Sequence, residues 1–182
     1  MQRKSFGKMA CPIARSLDRV GEWWSILIIR DALHGFTRFD EFQKSLNIAP
    51  NMLTRRLSAL VDAGLLERRR YSERPPRYEY ILTDKGRDFR PVIVAMAAWG
   101  NRHFAPEGAS VLLIDRKTQR ATDPVLVDRR SGRALNERDF VFAAGPAASE
   151  RTRRRYAMVD QEKPIARPRT SRLVRVRKRR AS

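Results

Sequence analysis

Cysteine is nearly absent from this 182-residue sequence: Cys11 stands alone. That excludes an intrachain disulfide framework and any metal site built from clustered cysteines. Histidine is scarce as well, with only His34 and His103. There is no glycine-rich phosphate loop, no setting of paired carboxylates and no metal-ligand spacing. These absences argue against an enzyme, and neither a cofactor nor a metal is expected. Long apolar runs are also missing. The longest candidate, residues 92–99, falls well short of the roughly 20 residues that cross a bilayer. Residues 1–10 are basic but lack the apolar core of a signal peptide. No membrane partner is expected, and the cytoplasm is the expected location.

Acidic residues are the other shortage. Asp+Glu number 20 against 39 for Lys+Arg, giving a formal net charge of +19 and a sequence pI near 11.4. A polyanion is the implied partner. The excess is unevenly placed. Residues 1–104 hold 19 basic and 11 acidic side chains, a net of +8; residues 105–150 hold 7 and 7; residues 151–182 hold 13 and 2, a net of +11. The last segment contains Arg153-Arg154-Arg155 and Arg175-Val176-Arg177-Lys178-Arg179-Arg180, with Pro164 and Pro168 between them. It has little to bury, so its composition predicts disorder. Its charge can add affinity for nucleic acid through counterion release but carries no sequence information.

Periodicity places the elements. Ile13, Leu17 and Val20 mark a short first helix from Pro12 that Gly21 interrupts. Residues 23–33 are apolar on nearly every side and end at His34-Gly35, which predicts a helix buried at the domain centre. Phe39, Phe42 and Leu46 mark a third helix starting near Arg38. A turn at Asn47-Ile48-Ala49 leads to Pro50, suited to the first helical position, and a fourth helix runs to Gly64 with Leu53, Leu57, Leu60 and Val61 as its core stripe. Alternation over residues 65–71 and 77–82, around a tip at residues 72–76, predicts a β-hairpin. Thr83 caps an expected long fifth helix from Asp84 to about Phe104, with Phe89, Val92, Ile93, Met96 and Ala97 apolar and Trp99 and Phe104 widening that surface. Beyond Pro106, residues 111–114, 124–127 and 139–142 read as short strands of a small β appendage, with a turn at Ser131-Gly132. No internal repeat stands out.

Two short helices, a tight turn and a following hairpin predict a mainly α fold, a winged helix-turn-helix, plus the β appendage and the basic tail. The expected domains are 1–104, 105–150 and 151–182. In such a fold the helix at about 50–63 enters the major groove of double-stranded DNA, and the wing at 65–82 lies on phosphates or in a minor groove. With Leu53, Leu57 and Leu60 turned inward, rotation of about 100° per residue puts Asn51, Arg55 and Ser58 outward, with Thr54 at the flank. Arg can take both acceptors of guanine, Asn can pair bidentately with adenine, and Ser or Thr can donate or accept. These four are the expected base readers. Arg68, Arg69, Arg70, Arg74 and Arg77 are the expected backbone contacts. Strand alternation puts Arg68 and Arg70 on one side and Arg69 on the other, and at least one of the five is expected only to discourage edge pairing.

The runs Cys11-Pro12-Ile13, Gly21-Glu22-Trp23-Trp24-Ser25-Ile26-Leu27-Ile28-Ile29-Arg30, Arg38-Phe39-Asp40-Glu41-Phe42 and Met52-Leu53-Thr54-Arg55-Arg56-Leu57 resemble the HxlR family of bacterial winged-helix regulators. So do Ala63-Gly64-Leu65-Leu66-Glu67-Arg68, Pro75-Pro76-Arg77-Tyr78-Glu79-Tyr80 and Leu82-Thr83-Asp84-Lys85-Gly86. The similarity is collinear over about residues 9–104. It implies a homodimer held by the N-terminal helix, through Ile13 and Leu17, and by the helix after the wing, through Phe89, Val92, Ile93, Met96 and Trp99. It also implies a pseudo-palindromic operator and, more often in the family, repression.

The sequence departs from the family in having Ala49 where Ser is common, so a side-chain cap worth about 1 kcal/mol is missing. It also lacks the cysteines of the zinc ribbon that some relatives carry after this point. Cys11 matches a position that senses oxidants or electrophiles in some members, with Lys8 and Arg15 nearby; a small buried apolar role is the other reading. An effector, small molecule or oxidant, is a possible partner, with Trp23, Trp24, Trp99 and Phe104 as candidate lining of a pocket between subunits. A general architectural nucleic-acid binder is the alternative function.

Overall fold

The computed structural model describes residues 11–161. They fall into two compact units, one ending at Ala134 and one beginning at Leu135. The first unit carries α1 (Pro12–Val20), α2 (Trp23–Leu33), α3 (Phe39–Leu46), α4 (Pro50–Asp62), β1 (Leu66–Glu73), β2 (Pro76–Leu82), α5 (Asp84–Arg87) and α6 (Arg90–His103). Helix α2 is its axis. Ile28 and Ile29 are fully buried, and α1, α3, α4, α6 and β2 all pack against this helix. That is the environment its all-round apolarity requires. Phe42 of α3, Leu53, Leu57 and Leu60 of α4, and Leu66 and Leu82 of the hairpin close the core around it.

The termini of α4 explain its placement. Pro50 occupies its first turn and Ala49 offers no side-chain cap, so the helix starts on backbone geometry alone. Its other end is a Schellman motif. Gly64, at φ +68°, donates to the Val61 carbonyl at 2.8 Å, and Leu65 donates to the Leu60 carbonyl at 2.9 Å. The left-handed conformation is one that glycine enters at no steric cost. Leu60 and Leu65 are both buried, which supplies the apolar contact that accompanies this motif.

The hairpin pairs Leu66 with Leu82 and Arg68 with Tyr80, and its register shifts between Arg70 and Ser72. Only its base is buried. Tyr80 N–H donates to the Thr37 carbonyl at 2.7 Å and Arg38 forms an isolated bridge with Glu79, so the segment before α3 braces the second strand.

The long helix expected from Asp84 to Phe104 is broken. Helix α5 ends at Arg87 and α6 begins at Arg90. Pro91 has no N–H to offer the Arg87 carbonyl, and its ring occupies the space that bond would cross; the chain restarts with Val92 N–H bonded to the Phe89 carbonyl at 3.0 Å. Thr83 caps α5 as expected, its hydroxyl accepting from Gly86 N–H at 3.1 Å. Lys85 Nζ donates to the Ala63 carbonyl at 2.7 Å, which ties α5 to the end of α4. Gly86 sits so close to the hairpin that a Cβ there would lie 2.2 Å from the Leu65 carbonyl oxygen.

The expected strands at 111–114, 124–127 and 139–142 do not form among the described residues. Isolated bridges Ile114–Ala121 and Val127–Ala134 replace the first two, and apart from the half-buried Pro124 and Phe140 the apolar side chains of the three segments are exposed. A strand gains little without a second layer to cover one face. The bridges reveal an internal repeat where none was expected. Leu113-Ile114-Asp115-Arg116-Lys117-Thr118-Gln119-Arg120-Ala121 and Leu126-Val127-Asp128-Arg129-Arg130-Ser131-Gly132-Arg133-Ala134 form the same turn. In each, the aspartate takes backbone and hydroxyl hydrogen bonds from the residues after it. These bonds to the ionised form hold the carboxyls of Asp115, mainly through Lys117 N–H, and of Asp128, mainly through the Ser131 hydroxyl, below the ordinary range.

In the second unit, residues 150–161, placed in the expected disordered tail from 151, are helical: α7 spans Glu150–Gln161. Ser149 Oγ accepts from Thr152 N–H at 3.3 Å and Glu150 pairs with Arg154 one turn on, a cap and an i,i+4 pair that favour a helix despite the charge. The rest of the basic tail, with Pro164, Pro168 and residues 175–180, lies outside the described residues, as does Lys8.

Candidate nucleic-acid interface

Helices α3 and α4 and the turn between them carry the first half of the site. Helix α3 starts at Arg38, where the Glu41 carboxylate accepts from Arg38 N–H at 2.8 Å and from Thr37 N–H at 2.9 Å. The Arg38 bond, then the Thr37 bond, hold the Glu41 carboxyl below its ordinary value, since both donors favour the ionised form. The helix ends at Asn47 in the left-handed region, φ 47°, a conformation that Asn tolerates better than most residues. Ile48 then plugs into the core, and Pro50 begins α4.

The inward face of α4 is Leu53, Leu57 and Leu60, fully buried. The outward face is the expected one: Asn51, Thr54, Arg55 and Ser58 are all exposed. They differ in readiness. Arg55 has neither an ion-pair nor a hydrogen-bond partner among the described residues, so its guanidinium is available to a ligand. Asn51 Oδ1 accepts from Met52 N–H at 2.7 Å and must turn away from it to pair bidentately. Thr54 Oγ1 donates to the Pro50 carbonyl at 2.9 Å, leaving only acceptor capacity. Arg56, the neighbour of Arg55, does something else: its Nη2 lies 3.0 Å from Glu22 Oε2, largely buried, and joins α4 to the N-cap of α2.

The wing arginines also separate. Arg69 faces Glu79 across the ladder and is bound to it by Nε and Nη2, both at 2.9 Å. Arg70 reaches the Ser72 and Glu73 carbonyls and pairs with the Glu73 carboxylate at 3.0 Å, which folds it along its own strand. Arg68 stacks its guanidinium 3.7 Å from the centroid of the Tyr78 ring, which leaves its N–H edges outward. Arg74 and Arg77, exposed at the tip and on the return strand, have no acidic partner among the described residues. Arg38 is marked by the sequence only as a helix start. It stands exposed at the N-terminus of α3, with its guanidinium 5.1 Å from the Tyr71 ring centroid, a contact that no sequence pattern signals.

The expected interface residues lie on two helices. Ile13 and Leu17 of α1 are exposed, as are Val92, Met96 and Trp99 of α6 at 44%, 47% and 58%. Helix α6 buries no residue at all. Ile93 is half-buried and Phe89 packs against the core. Cys11 is half-buried at the N-cap of α1. Of the four aromatic residues suggested as a lining between subunits, Trp99 packs edge-on against Phe104 at 4.8 Å, Trp24 packs on the core and Trp23 is exposed. Among the described residues no helix is long and apolar enough to cross a membrane.

A helix-turn-helix whose second helix presents an uncommitted arginine, followed by a basic hairpin, defines a DNA-binding protein of the winged-helix class. Residues 19–108 match the HxlR-like helix-turn-helix family. An HTH-type transcriptional regulator of Mycobacterium tuberculosis is 36% identical over 135 residues, 74% of this chain and 85% of that one. A transcription factor from Pseudomonas aeruginosa of known structure is 60% identical and superposes with a TM-score of 0.59, covering 80% of this chain and 99% of that one. A second transcription-factor structure, PA1607, is 39% identical with a TM-score of 0.68, covering 77% and 99%. The chain belongs to the HxlR-like helix-turn-helix family, whose members are DNA-binding transcription regulators and not enzymes.

Proposed function

We propose that this regulator is a cytoplasmic homodimer that represses transcription by occupying a pseudo-palindromic operator, with one α4 in each of two successive major grooves. The observation that carries the reading is the face of α4, where Arg55 is exposed and unpaired while the opposite stripe is sealed in the core. Arg55 and Asn51 read bases, with Thr54 and Ser58 beside them. Arg68, Arg74 and Arg77 hold the backbone; Arg69 and Arg70, already paired within the wing, contribute less. The dimer forms through Ile13 and Leu17 of α1 and the Val92, Met96 and Trp99 face of α6, because exposed apolar stripes on adjoining turns call for a cover. Residues 1–104 act as the DNA-binding and dimerisation domain, 105–150 as an appendage and 151–182 as an aid to affinity. Oxidation or alkylation of Cys11, next to the Ile13 face, is one way a signal would reach that interface.

Selection of bound genomic DNA followed by footprinting tests this. The expected result is a protected inverted repeat with half-sites about one helical turn apart. Equal affinity for that site and for unrelated DNA at physiological salt would instead mean an architectural binder.

A further inference from the structure

A cleft of about 560 Å3 opens between the last turn of α2, one flank of α6 and the segment 109–124. It lies wholly within the first unit. Its size falls in the range of about 300–1,000 Å3 in which small-molecule sites are found. The outer wall is fastened to the helix rather than draped over it. Asn101 Nδ2 donates to the Val111 carbonyl at 2.9 Å and Arg102 meets Asp123 at 3.6 Å; within the wall itself Thr122 N–H donates to the Leu113 carbonyl at 2.8 Å. A wall tied down in this way leaves room for a small ligand and not for a protein segment.

The lining has two chemistries. Leu33, Ile93, Val94, Ala97, Leu112 and Pro124 make an apolar body. Arg30, Arg90, Arg102 and Arg116 share the same cleft with His34, against a single acid, Asp123. Arg30 is answered by the buried Asp31 at 2.7 Å and Arg102 by Asp123. Arg90 and Arg116 have no acidic partner among the described residues. Two uncompensated guanidiniums beside an apolar wall disfavour cations, leave neutral ligands without a polar match, and give an inorganic anion nothing to do with the wall.

We infer that this cleft binds a small amphipathic organic anion, its carboxylate or sulfonate on Arg90 and Arg116 and its hydrocarbon against Val94, Ala97 and Leu112. The inference rests on the reading as a regulator only for the use of the site, where such an anion would be the effector. The site adjoins the machinery of recognition: α6 follows α5, and α5 is bonded through Lys85 to the carbonyl of Ala63 at the end of α4. By linkage, an anion that prefers one arrangement of α6 would change operator affinity by the factor with which the operator changes its own.

The test is a fluorescence titration of the full chain with 8-anilinonaphthalene-1-sulfonate, an aromatic sulfonate whose emission rises on leaving water. Expected is saturation at one probe per chain, with binding at least tenfold weaker in the Arg90→Ala/Arg116→Ala variant and in Val94→Trp, which fills the cleft. The neutral analogue N-phenyl-1-naphthylamine should bind at least tenfold more weakly than the sulfonate. The rim variant alters exposed residues only, so it keeps the test decisive if Val94→Trp fails to fold. Non-saturating binding, equal binding of the neutral probe, or binding lost in Trp99→Ser but kept in the rim variant would overturn the inference. Operator titrations on the same preparations separate the two ideas. Operator binding without a probe site refutes the cleft alone, and a probe site without operator binding refutes the regulator reading alone.

Discussion

Arg55 and Arg56 are consecutive arginines with opposite roles, assigned by helix rotation. Arg55 points outward and unpaired; Arg56 is turned toward Glu22 and largely buried. Arg55→Ala is therefore expected to leave the melting temperature unchanged and to weaken operator binding by about 1–3 kcal/mol per half-site. Arg56→Ala should do the reverse, lowering stability by about 1 kcal/mol because it removes the bridge that joins α4 to the N-cap of α2, while base preference measured on the folded fraction stays the same. Thermal melts and operator titrations on both variants check the pair.

Glu41 makes a second residue-scale prediction. Its carboxyl is held below the ordinary value of 4.5, first by the Arg38 N–H. A lowered folded pKa gives stability that is present above the unfolded pKa and lost as pH falls through the folded one. Glu41→Ala should thus be less stable than the parent at pH 7, by about 1 kcal/mol as for other lost caps. That gap should narrow below about pH 4.5 in denaturant titrations run across pH, as the parent carboxylate takes up its proton.

Among the elements, those set by local rules were legible in the sequence. The apolar stripe of α4, Pro50 at its start and Gly64 at its end were enough to fix which face looks outward, because a 3.6-residue period and a left-handed stop are local properties. The hairpin was legible for the same reason. The break between α5 and α6 is equally local, set by Pro91, but the apolar period runs on across it. The appendage failed differently: the short apolar runs at 111–114 and 124–127 looked like strands, but a strand is stabilised by what covers it, and Val111 to Ile114 and Val125 to Val127 are exposed. The readiness of individual wing arginines could not be seen at all. Arg69 is taken by Glu79 only because the register places them opposite. Gly64→Ala, at φ +68°, is expected to cost about 1–2 kcal/mol through left-handed strain, read as a lower denaturation midpoint at unchanged slope.

At the scale of the whole molecule, most of the charge and the proposed base-reading face lie in different segments. The segment 151–182 carries +11 of the +19, yet the arginine face proposed to contact DNA belongs to residues 50–82. Removing 151–182 is expected to flatten the dependence of binding on salt and to weaken specific and non-specific DNA alike, keeping their ratio. The most direct measurement compares the parent, Arg55→Ala and the chain lacking 151–182 on the selected operator and on scrambled DNA at physiological salt. The account predicts that Arg55→Ala removes at least tenfold of the operator-to-scrambled ratio while the truncation leaves that ratio intact. A truncation that abolishes operator binding, beside an Arg55→Ala protein that still discriminates fully, would contradict it.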